Sequence, residues 1–218
     1  QSIQSQNFVK LSLIIPVYNE RHNIETILEK IVATPLKYPI ELIIVDDGSD
    51  DGTRDVLKHY DHIHTVVLQS KNQGKGSAIR KGIEYVTGSH VVIQDADLEY
   101  DPQDLVMMHE VMLKDNLPVL YGSRSLNAGK NKDAGFAFYW GGQLVTVCAN
   151  ILYNQRLTDE PTCYKMFTTD LLKPLPLRCT GFEFCPEVTA QVAKKGIKIK
   201  EVSISYYPRD ITHGKKIK

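Results

Sequence analysis

The chain has no excess of either charge, few cysteines and no long apolar run. Its 218 residues carry 26 basic and 26 acidic side chains, a formal net charge of zero. No global field therefore calls for nucleic acid or for an anionic surface. The four cysteines, Cys148, Cys163, Cys179 and Cys185, include no Cys-x-x-Cys pair. A chain this long builds a core without a disulfide framework, so the four read as reduced, mostly packed thiols of a cytosolic protein. No apolar run reaches the roughly eighteen residues of a membrane span, and no signal peptide opens the sequence. Internal repeats and low-complexity tracts are missing too. What remains is one large domain or two small ones.

What is present is an alternation of short apolar runs with helical spacing. Residues 11–17 (LSLIIPV), 40–45 (IELIIV), 65–68, 90–93 and 119–121 read as strands. Residues 23–34 place Ile24, Ile27, Leu28, Ile31 and Val32 on one helical face. Further helices are expected at 53–60, at 76–86 and up to residue 114, the last opened by Asp101-Pro102. Strands this apolar, separated by helices, predict an α/β fold: a Rossmann-like, mostly parallel central sheet with helices on both faces. Ligands of such sheets bind beyond the carboxyl ends of the strands. After Tyr121 the pattern changes. Residues 127–135 are polar and Gly-containing and predict a mobile loop. Residues 136–152 predict a long apolar helix, with Phe138, Val145, Cys148, Ile151 and Leu152 among its residues. A helix at 183–195 and a half-buried strand at 198–205 follow, extending the same sheet.

The run Gln94-Asp95-Ala96-Asp97-Leu98-Glu99 sits at the end of a strand pattern. Strand alternation would put Asp95 and Asp97 on one side. Two carboxylates there repel unless a cation sits between them. Mg²⁺ or Mn²⁺ suits oxygen ligands and spans protein carboxylates and a substrate diphosphate; the plain alternative is an Asp-rich turn. Asp46-Asp47-Gly48-Ser49-Asp50-Asp51-Gly52-Thr53 also closes a strand pattern, and Ser49, Asp50 or Asp51 suits a helix cap ahead of Thr53. Asn72-Gln73-Gly74-Lys75-Gly76 lacks the P-loop spacing. Its glycines are expected to let the chain approach a ligand, with Lys75 or Arg80 facing the site. Arg124 suits bidentate pairing with phosphate. Arg209, with Lys215, Lys216 and Lys218, forms a late basic cluster suited to phosphate groups or an anionic membrane face. A solvated tail is its plain reading.

Pro16-Val17-Tyr18-Asn19-Glu20, Asp46-Asp47-Gly48-Ser49-Asp50-Asp51-Gly52-Thr53, Asn72-Gln73-Gly74-Lys75-Gly76, Asp95-Ala96-Asp97, Gly122-Ser123-Arg124, Gly181-Phe182-Glu183-Phe184 and Tyr207-Pro208-Arg209 with Gly214-Lys215-Lys216 resemble the family 2 glycosyltransferases. Within that family they are similar to the branch of dolichyl-phosphate mannose synthases and polyprenyl-phosphate glycosyltransferases. The resemblance runs from Leu11 onward. It implies a GT-A fold, with an extension at 1–10 and a single domain at 11–218, divided into a nucleotide-sugar-binding part (11–124) and an acceptor part (125–218). It implies that Pro16, Tyr18 and Glu20 line the nucleoside pocket and that Asp46 and Asp47 meet the base. Lys75, Asp95, Ala96 and Asp97 would line the nucleotide-sugar site, and Asp95, Asp97 and Glu99 would hold the metal. Arg124, Arg209 and Lys215 would hold the acceptor phosphate. Asp159 takes the place of the acceptor-side acid, with Glu160 the alternative, and the catalytic set becomes Asp97, Arg124, Asp159 and Arg209. Many relatives have Thr-Gly where this chain has Thr162-Cys163, a departure close to that acid.

The expectation is a metal-dependent, inverting transfer of a hexose from a nucleotide-diphosphate sugar of the GDP-mannose or UDP-glucose type to polyprenyl or dolichyl phosphate. The protein would be cytoplasmic and peripheral at a membrane's cytoplasmic face, with no spanning segment in this chain and no nucleic-acid partner. An anionic acceptor leaves Asp159 to orient. A sugar hydroxyl, as in polysaccharide synthesis, requires a base. A sugar-nucleotide-binding module without catalysis is the reading from another class.

Overall fold

The computed structural model describes residues 9–126 and 136–208, with residues 136–140 described by their backbone alone. In chain order the elements are β1 (Leu11–Val17), α1 (Ile24–Ala33), β2 (Ile40–Asp46), α2 (Thr53–Leu57), β3 (Thr65–Leu68), α3 (Lys75–Ile83), β4 (His90–Ile93), α4 (Asp104–Lys114), β5 (Val119–Ser123), α5 (Phe136–Tyr153), β6 (Lys165–Thr168), α6 (Thr169–Leu172), α7 (Phe184–Lys194) and β7 (Lys200–Ser203). The strands form one sheet in the order β3-β2-β1-β4-β6-β5-β7. β1 to β4 pair in parallel, β6 runs antiparallel to both β4 and β5, and β7 is parallel to β5. The mostly parallel α/β sheet is thus the one expected, and β6 and β7 bring the second half into it.

The topology locates a crevice. Crossovers from β1 to β2 and from β2 to β3 step one way across the sheet; the crossover from β3 to β4 steps back past β1. Right-handed connections then put α1 and α2 on one face and α3 on the other. Reversal between β1 and β4 makes their carboxyl ends the switch point, where such sheets bind ligands. Residues 18–20 follow β1 there, and residues 95–97 follow β4.

Burial on both faces explains why the inner strands are apolar throughout: Leu11, Leu13, Ile14, Ile15, Ile43, Ile44 and Val45 are all buried. α1 buries Ile24, Ile27, Leu28 and Ile31. Val32 departs from expectation at 63% exposed, because it lies at the solvent edge of that stripe. α2 is shorter than expected. After Leu57 the chain tightens into three-residue turns, His59 to Val56 and Tyr60 to Leu57. Asp101-Pro102 forms a turn ahead of α4, with the Asp101 carboxylate accepting the Gln103 N–H at 3.0 Å. α5 covers the expected span, but Val145, Cys148, Ile151 and Leu152 lie on its outer side.

At the end of the sheet away from the crevice, Glu41 gathers several donors. Its carboxylate accepts from Ser12 Oγ at 2.5 Å, from the N–H groups of Thr87 and Gly88 at 2.7 and 3.0 Å, and pairs with Lys10 at 2.5 Å. Burial alone would raise this carboxyl, but the bonds from Lys10, Ser12 and Thr87 outweigh it and lower the pKa from 4.5 to about 2. The charged form is therefore favoured in the folded state. That stabilisation is complete above the unfolded value and is lost as pH falls toward the folded one. Glu41→Gln should cost on the order of 2 kcal/mol at neutral pH. It should also flatten the acid loss of stability between pH 4.5 and 2, read from urea midpoints across that range. An unchanged acid profile would contradict the assignment.

Candidate active site

The ends of β1 and β2 are shaped by carboxylates turned onto the backbone. Asp46 is fully buried. Its Oδ2 accepts the N–H groups of Gly48 and Ser49 at 3.1 Å and Arg54 Nε at 2.7 Å. Its Oδ1 is buried without a hydrogen-bond partner among the described residues. Asp47 accepts the N–H groups of Gln73 and Gly74, both at 2.8 Å. Burial raises its carboxyl above the usual range despite those two bonds, with the Asp46 charge adding to the rise. Gly48 sits where this loop meets the next: its φ is +79°, and a Cβ would lie 2.4 Å from Asn72 N. None of Ser49, Asp50 and Asp51 is the cap of α2: Gly52 holds that place, and Asp51 one residue earlier accepts the Thr53 N–H at 3.0 Å. Asp50 and Asn19 bond each other side chain to backbone and side chain to side chain. Glu20, expected at the nucleoside, is buried; it accepts Asn23 Nδ2 at 2.7 Å and ties the turn after β1 to Thr53. Pro16 is half-buried in β1, and Tyr18 is 37% exposed at its tip.

The glycine loop corrects one expectation. A Cβ at Gly74 would lie 2.4 Å from Thr180 O, and one at Gly76 would lie 2.8 Å from Cys179 O and Gly181 O. These glycines admit the neighbouring backbone of residues 179–181, not a ligand. The Ser77 N–H completes that contact on Thr180 O at 2.9 Å. Arg80 likewise turns away from the acids and donates to the carbonyls of Arg178 and Cys179. Lys75 does face the site: its Nζ pairs with Asp95 Oδ1 at 2.5 Å and lies 5.9 Å from the Phe182 ring centroid. Burial opposes the Lys75 charge, but Asp95 raises its pKa well above the usual value.

β4 ends at Ile93, so Asp95 and Asp97 sit on a bend and not on an alternating strand. Asp97 Oδ1 accepts the Glu99 N–H at 3.1 Å. Between them Leu98 takes a left-handed conformation, φ 64°, an unfavourable setting for a non-glycine residue. Ala96 is buried beneath the turn. Glu99 Oε2 accepts the Tyr206 hydroxyl at 2.7 Å, and Glu99 O accepts the Tyr207 N–H at 2.8 Å. Burial, then Glu99, push the Tyr206 phenol up.

Just past β5, Arg124 and Asp159 form a bidentate pair. Arg124 Nε and Nη2 each lie 2.7 Å from a different Asp159 oxygen, and the Arg124 N–H adds a third bond at 2.8 Å. The guanidinium lies 5.0 Å from the Tyr206 ring centroid and 6.0 Å from that of Tyr100. Glu160, the alternative acid, is fully buried beside Lys165, 3.7 Å away, and accepts the Thr189 hydroxyl at 2.7 Å. It lies in the core, where a substrate does not reach. Glu160→Ala should strand the Lys165 charge and cost about 3–5 kcal/mol of stability, measurable as a fall in the urea midpoint. A midpoint within error of the parent would remove the ion pair as a structural element.

Among the described residues, no three His, Cys, Asp or Glu side chains gather as a metal site. Asp95 is held by Lys75 and Glu99 by Tyr206. Asp95, Asp97 and Glu99 offer oxygen donors of the kind a hard divalent ion takes together with diphosphate oxygens, and each of the three also makes a bond or ion pair within the chain. Arg209, Lys215 and the loop at 127–135 lie outside the described residues. An open groove of about 780 Å³ beside α3, lined by Gln69, Gln73, Arg80 and Leu175 among others, does not include these acids. Sequence reasoning missed Tyr206, Tyr100 and Glu201. Glu201 accepts the N–H groups of Thr158 and Asp159 at 2.6 and 3.1 Å. Their signal is long-range: a bridge between Tyr100 and Tyr206 that no local pattern announces.

The chain is 28% identical over 216 residues to a dodecaprenyl-phosphate galacturonate synthase of Rhizobium johnstonii, covering 94% of this chain and 61% of that one. It is 26% identical over 204 residues to a low-salt glycan biosynthesis hexosyltransferase of Haloferax volcanii, covering 92% of this chain and 48% of that one. The chain thus spans roughly half to three-fifths of the length of these relatives. Among solved structures, glucosyl-3-phosphoglycerate synthase of Mycobacterium tuberculosis, in complex with Mn²⁺, UDP and phosphoglyceric acid, superposes with a TM-score of 0.68 at 18% identity, covering 94% of this chain and 72% of that one. That likeness is one of fold, the GT-A architecture. Residues 12–172 match the family described as glycosyl transferase family 2, more than half of the sequence, and the chain belongs to that family.

Proposed function

We propose that the chain transfers a hexose, with inversion, from a nucleotide-diphosphate sugar to a polyprenyl phosphate, using Mg²⁺ or Mn²⁺. Residues 11–124 form the nucleotide-sugar part and 125–218 the acceptor part. The observation that carries this reading is the Arg124–Asp159 pair. Both Asp159 oxygens already accept from Arg124, and Oδ2 accepts twice. A carboxylate so occupied is poorly arranged to take a hydroxyl proton, whereas a lipid phosphate is already anionic and needs none removed. Asp159 then orients Arg124, and Arg124 offers positive charge to phosphate. The relative from Rhizobium johnstonii, whose printed name is dodecaprenyl-phosphate galacturonate synthase, supports the same acceptor class.

In the transfer an acceptor phosphate oxygen attacks the anomeric carbon. The bond from that carbon to the nucleoside diphosphate breaks, and the diphosphate leaves with the electron pair. A divalent ion held by Asp97 would neutralise charge on the diphosphate. Lys75 orients Asp95 and adds positive charge at the same edge. Tyr206 joins the two halves, bonding Glu99 while stacking on Arg124. Peripheral attachment to the cytoplasmic face of a membrane fits a substrate whose phosphate lies at the bilayer surface.

Asp97→Asn should reduce transfer about a hundredfold or more and abolish Mn²⁺-dependent tightening of UDP or GDP binding, with an unchanged melting temperature. Full activity at saturating metal would exclude Asp97 as a required ligand.

Arg124→Ala should raise the KM for a prenyl phosphate about ten- to a hundredfold, the loss of one charge-assisted contact. Asp159→Asn should leave transfer measurable and keep the acid limb of the kcat/KM profile where it is. A product formed only on sugar hydroxyls, together with loss of that limb in Asp159→Asn, would replace this reading by one with Asp159 as general base.

A further inference from the structure

The segment after β7 is fastened both to the end of β5 and to the turn after β4. The Ile204 N–H donates to Ser123 O at 3.1 Å, the Ser205 N–H to Asp104 Oδ2 at 2.7 Å and the Tyr207 N–H to Glu99 O at 2.8 Å. Tyr206 forms an antiparallel bridge with Tyr100. Gly122, from the Gly122-Ser123-Arg124 motif, permits this approach: a Cβ there would lie 2.7 Å from Ile204 Cγ2 and 3.1 Å from Tyr164 Cβ. The backbone of residues 204–207 is thus tied down at four successive positions, and the direction of the Tyr206 side chain is set by that anchoring.

The two ends of the Tyr206 side chain make different contacts. Its hydroxyl donates to Glu99 Oε2 at 2.7 Å. Its ring carries the Arg124 guanidinium, with Cζ 5.0 Å from the centroid, and meets the Tyr100 ring edge-on at 5.4 Å. The Tyr100 ring stands 6.0 Å from the same guanidinium and is held by its own hydroxyl, which accepts the Cys163 N–H at 3.0 Å. A guanidinium hydrogen-bonds around its edge and stacks through its face. Asp159 takes part of the edge, and the two rings flank the group. The plane of Arg124 is therefore set before any ligand arrives, and such preorganisation is what lets a charged group act on a reacting phosphate.

We propose that Tyr206 is a positioning residue for the transfer, serving both substrates with one side chain. Its hydroxyl sets the Glu99 carboxylate at the turn that would meet the donor diphosphate. Its ring sets the plane of Arg124 for the acceptor phosphate. The proposal rests on the lipid-phosphate reading and deepens it. The two effects are separable, because phenylalanine keeps the ring and loses the hydroxyl, whereas leucine loses both. A residue that only fills space would shift stability without dividing kcat from the acceptor KM.

Steady-state kinetics with GDP-mannose or UDP-glucose and a short, water-soluble prenyl phosphate test this. Tyr206→Phe should lower kcat about tenfold, the loss of one bond to a charged group, and leave the acceptor KM within about twofold of wild type. Tyr206→Leu should show the same fall in kcat and also raise the acceptor KM about tenfold, since the guanidinium loses its stacking partner. Adding Tyr206→Phe to Glu99→Ala should cost nothing further in kcat, because the hydroxyl has already lost its acceptor. Melting temperatures verify folding, and Tyr206→Met replaces Tyr206→Leu if that variant unfolds. Equal acceptor KM values in the Phe and Leu variants, or additive losses from Glu99→Ala and Tyr206→Phe, overturn the proposal. The same kinetics with simple sugar acceptors separate it from the lipid-phosphate reading. The split between the Phe and Leu variants, seen there and never with prenyl phosphate, keeps Tyr206 as a positioning residue and counts against that reading. Transfer to prenyl phosphate without the split does the reverse. A wild type that transfers to neither acceptor overturns both.

Discussion

Arg124 and Asp159 hold each other through three short hydrogen bonds, and the second half of the fold is arranged around that grip. A charge withdrawn from water must find a partner or the site does not form. Here the partner of each ion comes from a different segment. Arg124 stands just past β5, while Asp159 comes from the connection between α5 and β6. Glu201 of β7 holds the backbone of that connection from one side, and the Tyr206 ring lies against the guanidinium from another. Through the Tyr206 hydroxyl the contacts reach Glu99, two residues from Asp97. A continuous set of contacts thus runs from the turn after β4 to Asp159.

Much of the sheet was legible because its strands are buried on both faces and therefore appear as unbroken apolar runs. The bounds read for residues 11–17, 65–68 and 90–93 coincide with β1, β3 and β4. Helix ends were less legible, since they depend on where a turn tightens: α2 stops at Leu57 and α4 waits until Asp104. The pairing of β6 between β4 and β5 leaves no local mark at all, because it depends on contacts 44 to 78 residues apart.

Residue types at the site were legible, but the work of individual atoms was not. Asp46, Asp47 and Glu20 sit at the expected ligand edge, yet the bonds made by their carboxylates go to loops and turns. Gly74 and Gly76 were rightly placed beside a close approach, but the approaching group is the backbone of residues 179–181. Sequence marks where a polar group is required; only the packed chain decides whether it serves the scaffold or the ligand. Glu160 makes the same point. One residue from Asp159, it faces the core and answers Lys165.

The single reversed strand has a consequence for how this protein is made. β6 lies between β4 and β5, bonded to both, and begins only at Lys165. As the chain leaves the ribosome, β1 to β4 can assemble, but the open edge of β4 must wait for a strand synthesised about seventy residues later. At ordinary elongation rates that interval lasts several seconds. Through it, Val91, Val92 and Ile93 present an unpaired apolar edge of the kind that recruits other strands. The nascent half thus carries an open strand edge until β6 arrives and closes the sheet.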